Sequence, residues 1–91
     1  MAKPSFETVW GRVVEHAGDQ FRTKTGCVFT YAVHGSSLTP IGRNRTVSRR
    51  QVERAYVEVP VEGPGVWRDE IQGYPYVWGI LHDPRISPGE W

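Results

Sequence analysis

The sequence predicts an α+β fold, a small three-stranded antiparallel sheet packed against about three helices. Three observations lead there: a helical stripe of apolar residues opens the chain, the apolar period then drops to two, and two further helical stripes follow. The 91 residues make a single domain over 1–91, because independent domains mostly run ~50 to 200 residues. A domain this small buries roughly 60–65% of its unfolded surface, which leaves little room for a large internal pocket. That counts against a self-contained enzyme with a buried cofactor, so no enzymatic activity and no cofactor are expected.

Each element has its own local signal. Ser5, followed by Phe6, Val9, Trp10, Val13, Val14 and Ala17, predicts a capped helix over 5–17, with Gly18 as its left-handed terminator. Residues 19–41 read as a strand meander. Phe21 and Thr23 form one run; in the next, Val28, Thr30 and Ala32 alternate with Phe29, Tyr31 and Val33. Lys24-Thr25-Gly26 and Gly35-Ser36-Ser37 supply the turns, and Pro40 confines the third strand to an edge or an end.

Gly42-Arg43-Asn44-Arg45 reads as a loop, with a brief return to extended backbone at Thr46-Val47. Ser48 and Gln51 form a capping-box pattern that opens a helix over 48–59, whose stripe is Val52, Ala55, Tyr56 and Val59 and whose end is Pro60. Residues 60–73 predict a loop holding one helical turn with Trp67 and Ile71. A third helix over 74–83 begins at Gly73-Tyr74-Pro75 with proline at its first position, buries Val77, Trp78, Ile80 and Leu81, and stops at Asp83-Pro84. The tail from Arg85 is expected to be ordered through Ile86. A winged-helix-like layout falls within this class, but the strands lie between the first two helices, so the usual order of recognition helix and then wing is not matched.

The net charge of +1 selects no partner, but its distribution is uneven. Residues 1–54 hold nine Lys/Arg against four Asp/Glu, and residues 55–91 hold two against six. Such asymmetry points to an anionic partner for one face. The single Cys27 excludes an internal disulfide and suits a reducing compartment. Met1-Ala2-Lys3-Pro4 carries no apolar leader core and no stretch approaches ~18 apolar residues, so a cytoplasmic chain without a membrane partner is expected.

Motifs for chemistry are absent. His16, His34 and His82 show neither i, i+4 pairing nor a metal-ligand pattern with Cys27, so no metal is expected; His16 and His82 fall where a partly charged imidazole would meet a helix C-terminus favourably. Asp69-Glu70 before Ile71-Gln72 lacks the lysine and upstream acid of a metal-dependent nuclease and reads as a solvated loop. Phosphate-cradling glycine loops and the nucleophile elbow are also missing.

One concentration stands out. Arg43, Arg45, Arg49, Arg50 and Arg54 place five of the eleven basic residues within twelve positions, opposed there only by Glu53. The guanidinium fork matches phosphate oxygens bidentately, and Ser48 starts a helix inside the run whose free N–H groups would add to an anion site. The bland alternative is a solvated face on which Arg54 pairs with Glu53 or Glu58. Trp67, Tyr74, Tyr76 and Trp91, in or beside the Gly/Pro-rich stretch and at the chain end, form a second candidate surface, for a protein partner or homodimer or for stacking on unpaired bases. Burial of Trp67 and Tyr76 at the end of a small core is the competing expectation for those two.

The runs Phe21–Tyr31, with its Thr23-x-x-Gly26-x-x-Phe29-x-Tyr31 pattern, Val47–Tyr56, with Val47-Ser48-Arg49 at its start, and Tyr76–Ile86 resemble those of small uncharacterised bacterial and phage domains, some of them beside restriction or DNA-processing functions. The resemblance implies no catalytic residues and favours nucleic-acid binding. The expectation is therefore a non-enzymatic DNA- or RNA-binding module with phosphate contacts from Arg43, Arg45, Ser48, Arg49, Arg50 and Arg54, DNA and RNA being left open. The alternative is a protein-interaction or accessory domain.

Overall fold

The computed structural model describes residues 3–43 and 45–91; Met1, Ala2 and the loop residue Asn44 lie outside them. Helix α1 spans Phe6–Glu15, and the Ser5 hydroxyl accepts the Thr8 N–H at 3.3 Å, as the cap pattern predicts. It ends at Glu15 rather than Ala17. Gly18 does have a positive φ of 95°, but its N–H donates to the Tyr31 carbonyl at 2.9 Å, so the chain is drawn off the helix toward the sheet.

The meander splits into two sheets. Strand β1 (Phe21–Arg22) pairs antiparallel with β2 (Val28–Phe29), while β3 (Tyr31–His34), β4 (Ser37–Pro40) and β5 (Val47–Ser48) form a three-stranded antiparallel sheet with β4 in the centre. Period two runs straight through the break at Thr30, since Phe29 and Tyr31 are both buried. Periodicity carries the facing of a residue but not its partner, and the partner changes here from β1 to β4. Pro40 stands at the end of β4, beyond the two residues that pair with β5.

Helix α2 spans Arg49–Glu58, with the Ser48 hydroxyl accepting the Gln51 N–H at 3.2 Å and Val52, Ala55 and Tyr56 buried. The Lys3 ammonium donates to the carbonyls of Tyr56 (2.7 Å) and Val59 (3.1 Å), satisfying acceptors that a helix end leaves open. A 3-10 turn at Pro64–Trp67 precedes helix α3, Tyr74–Leu81, which has proline in its first turn. At Gly79, α3 lies directly on β1: an added Cβ would meet the Arg22 carbonyl oxygen at 2.3 Å. The tail folds back through buried Ile86 to Trp91, whose indole N–H donates to the Leu81 carbonyl at 2.8 Å.

The core joins residues from every helix and both sheets, with Trp67, Tyr31, Phe21 and Leu38 among its largest fully buried side chains. Among the described residues no helix is long and apolar enough to cross a membrane.

Candidate functional site

The five clustered arginines do not form one patch. Helical phase turns Arg49 inward, where its guanidinium pairs with Glu7 at 2.8 Å and sits 5.4 Å from the Phe6 ring centroid and 6.0 Å from that of Trp10. It links α2 to α1. Arg54 pairs with Glu58 at 2.6 Å and with Glu70 at 2.8 Å, so its charge is already opposed. Arg50 is exposed. The start of α2 is also less open than the sequence suggests, because the Arg49 N–H donates to the Ser36 carbonyl at 2.7 Å and the Gln51 N–H to Ser48. Ser48 thus caps the helix, using a donor that an anion would need.

Arg45 has a different setting. Gly73, at φ +70°, stands at the start of α3 with so little space that a Cβ there would come within 2.9 Å of a Val47 methyl and 3.9 Å of the Arg45 Cβ. That close approach sets the segment before β5 against the first turn of α3. Between them opens a cleft of about 580 Å³, lined by Arg45, Gln51, Arg68 and Gln72 together with Asp69, Glu70, Tyr74 and Tyr76. Neither Arg45 nor Arg68 forms an ion pair with a carboxylate among the described residues, whereas Glu70 is held by Arg54. The Tyr76 ring is fixed edge-on against Phe29, centroids 5.0 Å apart, and the Arg43 guanidinium lies 5.7 Å from its centroid.

The structure therefore joins part of each surface anticipated from sequence. Arg45, Tyr74 and Tyr76 line the cleft, Arg43 lies beside the Tyr76 ring, and Arg49 and Arg54 are engaged elsewhere. Trp67 is corrected outright as a contact residue: it is 0% exposed, because the 3-10 turn carries it into the core. Trp91 is half-buried, its ring edge-on to Tyr56 at 5.1 Å, and it closes the tail onto the core rather than lining the cleft.

Sequence reasoning missed Arg68, Gln51 and Gln72. Arg68 stands alone before Asp69-Glu70, and no local pattern marks it. Gln51 read as a cap partner, yet only its backbone N–H does that work and its side chain is left to the cleft.

The remaining candidates are local. His16 hydrogen-bonds Asp19 at 2.9 Å, and the exposed Cys27 has an Arg43 nitrogen 3.7 Å from its sulfur. His82 differs from the partly charged helix cap expected. Burial holds its pKa below the ordinary imidazole value, against a smaller opposing effect of its hydrogen bond to the Trp78 carbonyl. Among the described residues no group of three or more His, Cys, Asp or Glu side chains is placed to hold a metal ion. No family model, curated protein or solved structure matches the chain.

Proposed function

We propose that this chain is a non-enzymatic nucleic-acid-binding module that contacts phosphates through Arg43, Arg45, Arg50 and Arg68. One observation carries the reading: Arg45 and Arg68, neither paired with a carboxylate, share a cleft with two tyrosines. Guanidinium groups left without an internal counter-ion favour an anionic ligand, and the fork suits phosphate oxygens. Adjacent phenol rings suit a ligand with flat faces. A nucleic acid supplies both. The proposed setting is cytoplasmic, where the lone exposed thiol of Cys27 stays reduced.

Fluorescence anisotropy with short DNA and RNA strands across a salt series tests the proposal. The affinity should fall linearly in log salt, and the Arg45→Ala, Arg68→Ala double variant should lower the slope by about 0.7 per lost contact on a single strand. Absence of binding to every strand at low salt overturns it. A second reading, a protein-interaction domain, is favoured by the exposed Val57 (70%) and Val66 (60%). Salt-insensitive self-association lost on Val57→Ser would replace the first reading with the second.

A further inference from the structure

Resting on that nucleic-acid reading, we infer that the cleft receives one unstacked base of a single strand, with the neighbouring phosphate held by Arg45 and Arg68. Size is the first argument. At about 580 Å³ the cleft is larger than a bare phosphate needs and falls within the roughly 300–1,000 Å³ of sites that enclose small organic groups.

The lining supplies the second argument. Tyr74 and Tyr76 offer ring surface for stacking, and they sit on the first turn of α3, positioned by the Gly73 contact with Val47. Gln51 and Gln72 each bring an amide that both donates and accepts, which is what a base edge requires. Asp69 narrows the choice further. A carboxylate repels an isolated anion but accepts N–H groups from an amino-bearing base edge. The cleft is thus better matched to a base with its phosphate than to phosphate alone.

A base paired and stacked in a duplex cannot enter such a site, so single strands should be preferred. The tyrosine faces would confer this preference, while the arginines would set overall affinity and its salt dependence.

The test uses the full chain and three ligands of equal length: a single-stranded DNA containing 2-aminopurine, the same strand with every base replaced by a tetrahydrofuran abasic unit, and the duplex. Wild type should bind the base-bearing strand about tenfold more tightly than the abasic one, and 2-aminopurine fluorescence should be quenched on binding. The Tyr74→Ala variant should lose most of that preference; Gln72→Ala, at an exposed position where folding is not at issue, should reduce it. Equal affinity for base-bearing and abasic strands, both weakened by Arg45→Ala with Arg68→Ala, overturns the base site and leaves the phosphate reading standing. Duplex binding as tight as single-strand binding overturns it likewise. Failure to bind either single strand overturns both.

Discussion

The α1–α2 seam and the cleft at the start of α3 are built with the same residue types and use them in opposite ways. At the seam, Arg49 is committed to Glu7 and to the ring faces of Phe6 and Trp10. At the cleft, Arg45 and Arg68 have no carboxylate partner among the described residues. The aromatics divide similarly, Trp67 being wholly buried while Tyr74 and Tyr76 keep part of their surface open. Free charge and free ring surface are thus set by what the fold places opposite a residue, not by its type. Packed-side changes should then alter stability and spare binding, and cleft changes should do the reverse.

The largest effect should come from Trp67. Trp67→Ala removes a fully buried indole and should cost about 3–5 kcal/mol in urea unfolding. Trp67→Phe should cost much less than that. The Trp67 indole N–H has no hydrogen-bond partner among the described residues, so the phenylalanine also removes a buried donor left unsatisfied. If the two variants were equally destabilised, the buried indole would not be acting through packing.

Gly79→Ala should follow, at roughly 1–3 kcal/mol, since the new methyl would be forced against a backbone oxygen that no side-chain rotation can move. Thermal melting would show it. A melting temperature equal to wild type would mean that α3 does not rest on β1 as described.

Arg49→Ala, set beside Arg50→Ala, contrasts a packed arginine with an exposed one within a pair of neighbours. Loss of the Glu7 pair and of the contact over Phe6 and Trp10 should cost about 1 kcal/mol, most of it from packing because the pair is partly exposed. Arg50→Ala, on the exposed flank, should leave the unfolding midpoint unchanged and weaken strand binding instead. The reverse pattern would break the comparison.

The legible part of this fold was the part written in local patterns. Ser5 and Ser48 mark helix starts that the structure keeps, and most of each predicted stripe faces the core, although Val14, counted in the stripe of the first helix, is 45% exposed because it lies one step round from the buried Val13. The two hairpins were legible from their turns at Lys24-Thr25-Gly26 and Gly35-Ser36-Ser37, but the break between them was not. Nothing near Thr30 says that the run read as one strand is divided there, its first part in a sheet with β1 and its second in a separate sheet with β4. The cleft was half legible: Arg45, Tyr74 and Tyr76 stood out by type, whereas Arg68 and Gln72 reach it only through tertiary packing. Successive helix residues point about 100° apart, so Arg49 turns toward α1 while its neighbour Arg50 stays exposed, and for Trp67 the burial held as the competing expectation is what the structure shows.

The smallest effect is a pH response confined to the packed side. The His82 ring stacks on Trp78 at 4.4 Å; its Nε2 accepts the Val61 N–H at 3.2 Å and its Nδ1–H donates to the Trp78 carbonyl at 2.9 Å. Both nitrogens are therefore matched to the neutral ring, and a proton on Nε2 would face the Val61 N–H. With burial lowering the native pKa below the unfolded value of 6.5, the unfolded chain binds a proton first as the solution is acidified. The stability contributed by His82 is then complete above about pH 6.5 and is lost as the pH falls from there through the native pKa. Urea midpoints at about pH 8 and pH 5 should differ, and His82→Gln should flatten the difference. A native imidazole titrating at or above 6.5 by NMR would reverse the sign and refute the assignment. Because Val61 and His82 do not line the cleft, acidification that leaves the chain folded should not change its discrimination between base-bearing and abasic strands.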